Sequence, residues 1–159
     1  MDFFTQAPKV FVHEIELSAS PSAIFASFEN ADDWPLWVDS IARVDWTSPR
    51  PFGVGTTRTV TFTNGKTAAE EFIAWQQDRR MAFCFTETDQ HGTRSFAEDY
   101  EVIDLGAGRS KLIWRVAFDP QGVSKIVFAV FGFLIARIFR KALADFKVFI
   151  EAKAMVSDA

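Results

Sequence analysis

The sequence predicts an α+β fold in which a long C-terminal helix lies across one face of a curved antiparallel sheet. Three observations lead to this prediction. Residues 41–120 read almost entirely as strands and turns, and residues 124–155 repeat apolar side chains at helical spacing. One strand and two short helices come before both regions. A helix packed across the apolar face of such a sheet buries that face, which is the usual α+β arrangement.

The length and composition predict one domain over residues 1–159 with an apolar interior. A chain of 159 residues is close to the usual size of a single domain, and no linker-like segment divides it. The sequence holds 18 phenylalanines and a single tyrosine. Phenylalanine adds bulk without a hydroxyl group that needs a partner, so the core, or any cavity in it, is expected to be mostly dry.

The net charge, the single cysteine and the first residues of the chain predict which partners and which cellular location to expect. The formal net charge of −4 offers no basic surface for nucleic acid, so no nucleic-acid partner is predicted. The single cysteine cannot form an internal disulfide, and the first residues lack the features of a signal peptide. We therefore expect a cytoplasmic protein. The apolar run from Ile126 to Ala136 has eleven residues, whereas a spanning helix needs about 20.

The first predicted elements are a strand over residues 10–17 and a short helix. Alternation along the strand places four residues on one face: Phe11, His13, Ile15 and Leu17. Ser20 is a suitable N-cap for the helix that follows, and Pro21 suits its first position. The pattern therefore predicts that the chain changes from strand to helix at Ser20.

A second short helix is predicted immediately afterwards, with Asp33 as its cap. Trp34 and Trp37 are three residues apart, so on a helical turn they lie on roughly the same side. Two interpretations follow: the two rings pack a rigid corner, or at least one of them contacts a ligand at the entrance of a cavity.

The clearest hairpin has Asn64-Gly65 as a two-residue turn, after a short strand over residues 41–47. This turn predicts that Arg58 lies directly opposite Glu71. Both charges would then share the apolar face of the hairpin, whose other residues are Val60, Phe62, Ile73 and Trp75. The pair is either an ion pair at the rim of the sheet or part of a cavity, where Arg58 would donate to a ligand carbonyl, phenolate or carboxylate.

Two further strands and a second hairpin extend the same apolar face. Phe83 and Phe85 share one side of a strand that is joined to the next one near residues 89–92. A three-residue turn at residues 106–108 then predicts that Tyr100 faces Trp114 and that Glu98 faces Val116. Burial would raise the pKa of the Glu98 carboxyl and suit it to proton transfer. The alternative is that Glu98 reaches solvent or a basic partner.

The last predicted element is one helix over residues 124–155, with Gly132 as a weak point. One side carries mostly apolar residues at helical spacing: Phe128, Phe131, Ile135, Ile138, Ala142, Phe146, Phe149 and Lys153. The apolar stretch 126–136 is expected to be core and cavity lid. Because Arg137, Arg140 and Lys141 follow it, a transient contact with a membrane or partner is the alternative.

Several stretches in this order resemble the START-like, helix-grip superfamily (SRPBCC). They are "SASPSAIFASFENADDWPLW", "GVGTTR", "EEFIAWQQDRRMAF" and "LADFKVFIE". The resemblance is strongest to the polyketide cyclase/dehydrase and lipid-transport group and covers roughly residues 9–152. It implies a seven-stranded antiparallel sheet gripping the long helix, with a deep apolar cavity between them. Fold alone does not choose a ligand or a reaction.

Three functional hypotheses follow from the residues and the resemblance. The first is binding, with or without transport, of a small hydrophobic ligand such as a lipid, polyketide or quinone. The second is a polyketide cyclase or dehydratase that uses Glu98, Arg58 or His13 for proton transfer, and the third is a membrane- or partner-associated adaptor. No cofactor is predicted, and no metal, because the histidines and the cysteine lack zinc-site spacing. The predicted ligand-binding residues are Trp34, Trp37, Arg58, Phe62, Glu71, Ile73, Trp75, Phe83, Phe85, Glu98, Tyr100, Trp114, Phe131 and Ile135.

Overall fold

The structure is a computed structural model that describes residues 3–89 and 92–157. Three α-helices lie within these ranges: α1 (Phe3–Gln6), α2 (Pro21–Glu29) and α3 (Val123–Ser157), and a 3-10 helix spans Ala31–Leu36. The strands are β1 (Lys9–Leu17), β2 (Ile41–Trp46), β3 (Thr57–Phe62), β4 (Thr67–Gln76), β5 (Arg80–Thr88), β6 (Thr93–Gly106) and β7 (Arg109–Pro120). Part of the predicted connection at residues 89–92 lies outside the described residues.

The strands form one antiparallel sheet in the order β1-β7-β6-β5-β4-β3-β2. The C-terminal half of α3 packs on the inner face of this sheet, where Leu143, Phe146 and Ile150 are buried. The ring of Phe146 stacks on that of Phe28 from α2, with 5.3 Å between centroids. The predicted α+β helix-grip fold with seven strands is confirmed. No helix within the described residues has the length and apolar character needed to cross a membrane.

The predicted start of α2 is confirmed, but the start of the second short helix differs from the prediction. Ser20 caps α2 by accepting a hydrogen bond from the backbone N–H of Ala23. The 3-10 helix is capped by Asn30, whose side chain accepts from the N–H of Asp32. Asp33 therefore lies inside the helix, so its prediction as the cap was wrong.

The reason is that the Asp33 carboxylate has other partners. It is buried and accepts hydrogen bonds from Ser27 Oγ at 2.8 Å and from Asn30 Nδ2 at 2.8 Å. Lys153 Nζ of α3 lies 2.5 Å from the same carboxylate. Asp33 thus joins the 3-10 helix to α2 and to the long helix.

The β3–β4 hairpin is shifted by one residue from the predicted register. Arg58 pairs with Glu70 instead of Glu71, because the loop contains Thr63, Asn64 and Gly65 between Phe62 and Lys66. A two-residue type I′ turn would need positive φ at both Asn64 and Gly65, but only Gly65 has it, at 82°. The loop is the three-residue type, a type I turn closed by a glycine bulge.

A shift of one residue moves every side chain of a strand to its other face. Glu70 and Phe72 consequently point inward, while Glu71 and Ile73 point outward, and Ile73 is 45% exposed. The predicted inward positions of Glu71 and Ile73 were wrong for this reason. An irregularity between Phe72 and Ala74 then returns Trp75 to the core side, where its ring contacts those of Phe25 and Phe72.

The β6–β7 hairpin has the predicted register with a different turn. Tyr100 pairs with Trp114 and Glu98 with Val116, as predicted. The turn itself has two residues, Ala107 and Gly108, both with positive φ. A bulge between Asp104 and Gly106 adds the residue that the shorter turn omits, so the pairing further along the strands is unchanged.

Helix α3 continues through Gly132, but its N-terminal half does not pack on the sheet as expected. Phe131, Phe133 and Ile138 are 48%, 68% and 65% exposed. Apolar residues surround the helix at this end, so their spacing did not identify which side packs. The expectation that stretch 126–136 is core and lid was therefore wrong for most of its side chains.

Candidate functional site: a polar cluster in an apolar cavity

A cavity of about 360 Å³ lies between the inner face of the sheet and one turn of α3. Its walls are mainly apolar, with aromatic side chains from six elements, and among these α3 contributes Ile138, Phe139 and Ala142. Apolar wall residues from the other elements include Trp34, Val60, Phe62, Phe83, Phe85, Phe96 and Phe118. Five lining residues that are buried or nearly buried also carry polar groups. They are Arg58, Glu70, Glu98, Tyr100 and Trp114.

Arg58 is the most unusual residue of the lining, because its guanidinium is almost completely buried at 1% exposure. The guanidinium lies over the rings of Trp34 at 4.2 Å and Phe83 at 4.6 Å from its central carbon. Such stacking on aromatic faces is favourable for a weakly hydrated cation. Arg58 is the second residue of β3 and shares the buried face of that strand with Val60, so its charge points into the interior.

Glu70 of the neighbouring strand is the ionic partner of Arg58. Arg58 Nε donates to Glu70 Oε2 at 2.6 Å, and both side chains are nearly inaccessible to solvent. Burial raises the pKa of Glu70, and the guanidinium opposes this rise. The pair leaves Arg58 Nη1 buried without a hydrogen-bond partner among the described residues. A buried charged donor that lacks an acceptor costs at least about 1–3 kcal/mol, so an acceptor oxygen placed beside this atom would stabilise the folded protein.

A second polar cluster consists of Glu98, Tyr100 and Trp114. Tyr100 Oη donates to Glu98 Oε2 at 2.5 Å, and Trp114 Nε1 donates to the same oxygen at 3.1 Å. The β6–β7 register produces this arrangement, because Tyr100 and Trp114 are directly paired and Glu98 lies two residues before Tyr100. Within the described chain these are the hydrogen-bond partners of Glu98, and both use Oε2, which leaves Oε1 for a ligand.

Burial changes the proton affinity of this cluster. It raises the pKa of Glu98 to about 7, although the hydrogen bond from Tyr100 opposes the change. Burial, followed by the adjacent Glu98 carboxyl, also raises the pKa of Tyr100 well above its ordinary value. Tyr100 therefore stays a phenol and a donor, whereas Glu98 exchanges a proton near neutral pH. The part of Glu98 that remains accessible faces the cavity.

His13, the third predicted proton-transfer residue, lies away from the cavity lining. It pairs with Trp114 across β1 and β7, and its Nε2 is buried without a hydrogen-bond partner among the described residues. Burial, together with the charge of Arg140, lowers its pKa. The structure thus separates His13 from Arg58 and Glu98.

The predicted ligand-binding residues fall into two groups. Those that line the cavity are Trp34, Arg58, Phe62, Phe83, Phe85, Glu98, Tyr100 and Trp114. Those outside the lining are Trp37, Glu71, Ile73, Trp75, Phe131 and Ile135. Trp37 is buried in the core, with its ring 5.0 Å from that of Trp34 and 4.8 Å from that of Phe146. It packs behind the cavity wall and is not at an entrance.

Sequence reasoning missed Glu70 and the helix residues Phe139 and Ala142 at the cavity. The predicted hairpin register places Glu71 on the inner face and so implies that its neighbour Glu70 lies on the outer face. The Asn64-Gly65 sequence is also compatible with a three-residue loop in which glycine forms a bulge. The register that follows from this loop pairs Arg58 with Glu70. Within residues 3–89 and 92–157, no group of three or more His, Cys, Asp or Glu residues is placed to hold a metal ion.

Comparison with known proteins gives consistent matches. Residues 9–151 match the model of a family described as polyketide cyclase / dehydrase and lipid transport. Uncharacterized proteins of Mycobacterium tuberculosis and Mycobacterium bovis are 35% identical over 153 residues, covering 96% of this chain and 91% of theirs.

Two solved structures share the fold at low sequence identity. A START superfamily protein from Mycobacterium smegmatis has a TM-score of 0.65 and 11% identity, covering 92% of this chain and 97% of its own. The di-domain ARO/CYC BexL from the BE-7585A biosynthetic pathway has a TM-score of 0.73 and 16% identity, covering 90% of this chain and 46% of its own.

Proposed function

We propose, from the premise that the chain belongs to the polyketide cyclase / dehydrase and lipid transport family, that it binds one small hydrophobic molecule. The molecule lies in the cavity between the sheet and α3, with an oxygen acceptor directed at Arg58. Lipids, polyketides and quinones all combine an apolar body with carbonyl or carboxyl oxygens, so each class meets this requirement. The cavity volume of about 360 Å³ is within the range of small-molecule sites.

The observation that carries the proposal is the unpartnered Nη1 of Arg58. An apolar cavity by itself accommodates any oily molecule, whereas a buried guanidinium favours one that brings an acceptor. Glu70 holds the guanidinium through Nε, and the rings of Trp34 and Phe83 fix its plane. The donor is therefore already oriented before a ligand arrives, which reduces the entropic cost of binding.

The test compares two probes of the same shape, 2-naphthoate and 2-methylnaphthalene. Each displaces the apolar dye N-phenyl-1-naphthylamine, and fluorescence reports the affinity. Both probes are expected to bind, and naphthoate is expected to bind about 10–100-fold more tightly because it accepts a charge-assisted hydrogen bond. Native mass spectrometry of protein purified from its own host identifies the natural occupant.

The decisive variant is Arg58→Met combined with Glu70→Gln, which removes both charges together, so that neither partner of this pair is left as a lone buried charge. The matched control is Arg43→Met combined with Asp45→Asn, an exposed ion pair on β2 with the same 2.6 Å separation. We expect the first variant to bind both probes equally and the control to keep the preference for naphthoate. Failure of the wild type to bind either probe, or a preference that survives in the first variant, would contradict the proposal.

A second candidate function, catalysis of ring closure, is favoured by Glu98. Its pKa of about 7 suits a group that both takes and returns a proton near neutral pH. In the reaction, Glu98 Oε1 removes a proton from a carbon between two carbonyls of a poly-carbonyl chain. The released electron pair forms a carbon–carbon bond to another carbonyl carbon of the same chain, and the oxygen of that carbonyl receives the proton from Glu98. Glu98 then removes the second proton from the attacking carbon and delivers it to this hydroxyl, which leaves as water while a carbon–carbon double bond forms.

Glu98→Gln distinguishes catalysis from binding alone. With a linear tetraketone as substrate, the wild type is expected to accelerate formation of the ultraviolet-absorbing aromatic ring. The variant is expected to lose most of this acceleration while it retains binding of 2-naphthoate, because Gln keeps the size and polarity of the side chain. Equal rates for wild type and variant would exclude Glu98 as the base and leave the binding proposal intact.

A further inference from the structure

The N-terminal half of α3 presents an apolar face to solvent, which we call the exposed helix face and define by eight residues. They are Val123, Ile126, Val127, Val130, Phe131, Phe133, Leu134 and Ile138, each more than 40% exposed. Their spacing of three and four residues places them within roughly half of the helix circumference. A contiguous exposed apolar face of this kind usually marks a site that binds a membrane or another protein.

The charges around the exposed helix face have one sign only. From Val123 to Leu143 the sequence contains Lys125, Arg137, Arg140 and Lys141 and no acidic residue, although the whole chain carries a net charge of −4. Lys141 is engaged by Asp39 and Asp145. Arg137 and Arg140 make no ion pair with any residue in the described ranges. Arg137 follows Leu134 by three residues, so it continues the exposed helix face by one turn.

We infer that the exposed helix face docks on the surface of a lipid bilayer that contains anionic lipids. An amphipathic helix that combines phenylalanine and leucine with adjacent arginines lies in the interfacial plane of such a membrane. The apolar residues enter the boundary between headgroups and acyl chains, and Arg137 and Arg140 meet the negative headgroups.

A second copy of this chain is the competing occupant of the same face. The face carries cations and no acid, so it offers a second copy no opposite charge to pair with. An anionic bilayer complements both the apolar residues and the charge, and it is therefore the occupant that the observations favour.

The exposed helix face lies next to the cavity, so docking through this face also positions the cavity relative to the membrane. Ile138 belongs to the face and also lines the cavity, next to Phe139 and Ala142. The cavity lining also includes exposed residues at the ends of β5 and β6, among them Thr88 and Arg94, which mark its mouth. Docking through the helix therefore brings the mouth close to the lipid surface, and a hydrophobic ligand can pass between them with little exposure to water.

Vesicle flotation with the whole 159-residue chain tests the inference. One set of vesicles contains phosphatidylcholine alone, and the other contains equal parts of phosphatidylcholine and phosphatidylglycerol. We expect the protein to bind the anionic vesicles more tightly. Phe131→Ser combined with Phe133→Ser is expected to weaken this binding at least about tenfold through lost apolar burial. Arg137→Gln combined with Arg140→Gln is expected to weaken it about tenfold on anionic vesicles only.

The control is Val148→Ser, which changes an apolar residue 72% exposed at the other end of α3 and should leave vesicle binding unchanged. Circular dichroism checks that each variant is folded, which is expected because all changed residues are exposed. Two results would overturn the inference. One is wild-type protein that binds neither kind of vesicle, and the other is a dimer in sedimentation that Phe131→Ser with Phe133→Ser converts to a monomer. Neither result affects probe binding in the cavity, which is measured without lipid.

Discussion

Glu98 makes the stability of the protein depend on pH in a direction opposite to that of most carboxylates. Its pKa rises from an ordinary value of 4.5 to about 7 in the folded state, mainly because of burial. The folded protein then binds more protons than the unfolded chain between these two values. Stability falls as pH rises through this window, and the loss is complete above about pH 7.

The size of the effect follows from the shift. One pKa unit corresponds to about 1.4 kcal/mol, so the change from 4.5 to about 7 corresponds to about 3 kcal/mol of unfolding free energy. Glu98→Gln removes the titration and keeps an uncharged side chain of similar size. We therefore expect the variant to gain about 3 kcal/mol relative to wild type between pH 4 and pH 8.

Urea unfolding followed by circular dichroism measures this difference at several pH values. The contributions of all other titrating groups cancel when the variant is subtracted from the wild type at each pH. Glu87→Gln is a suitable control, because it changes an exposed glutamate on the neighbouring strand. A difference between Glu98→Gln and wild type that stays constant across the range would show that Glu98 is not held in a desolvated site, and the reasoning would be refuted.

Two further predictions concern Arg58 and Trp37. Arg58→Met alone is expected to lower the unfolding free energy by about 3–5 kcal/mol, because Glu70 is left buried without its partner, and Arg58→Met with Glu70→Gln should recover much of this loss in urea titrations. Equal destabilisation of the single and double variants would contradict that explanation. Trp37→Ala is expected to lower stability by about 3–5 kcal/mol and to leave the preference for 2-naphthoate over 2-methylnaphthalene intact, because Trp37 is a core residue behind the cavity. A lost preference with near-normal stability would instead place Trp37 at the ligand.

The two hairpins show how far the sequence predicts the site. Both turns contain glycine, and the sequence predicts a two-residue turn at Asn64-Gly65 and a three-residue turn at residues 106–108. In the β6–β7 hairpin a two-residue turn and a bulge together consume the same number of residues as the predicted three-residue turn, so the register was correct. This register places Glu98, Tyr100 and Trp114 together, and they form the hydrogen-bonded cluster of the cavity.

In the β3–β4 hairpin the loop has three residues instead of the predicted two, and no bulge next to the turn restores the predicted register. Asn64-Gly65 is compatible with a two-residue loop and with a three-residue loop, and packing across the strands decides between them. The observed register buries Phe72 and joins Arg58 to Glu70, whereas the predicted one would bury Ile73 and Glu71. Such a choice depends on residues distant in sequence, so the turn motif alone does not determine it.

The cap and the long helix illustrate the same limit. Asn30 and Asp33 are both good capping residues, and the choice follows from Lys153, which is 120 residues away from Asp33 and binds its carboxylate. For α3 the spacing of apolar residues predicts a helix. It does not predict which side or which half of the helix packs on the sheet, because that depends on where the sheet ends. Local patterns therefore predict which elements exist, and tertiary contacts decide which of their residues reach the cavity.

The strand order has a consequence for how the protein is made. Strands β2 to β7 are joined as successive neighbours, so their pairing closes only short loops, whereas β1 pairs with β7 and Leu17 meets Ser110. Strand β1 is thus synthesised long before β7, with which it pairs, and closing so long a loop slows folding. Until residue 110 has been synthesised, the whole edge that Lys9–Leu17 offers is without its partner, and the pairing is complete only when residue 118 is present. A nascent or truncated chain therefore exposes an aggregation-prone strand, and chaperone protection matters most during this interval.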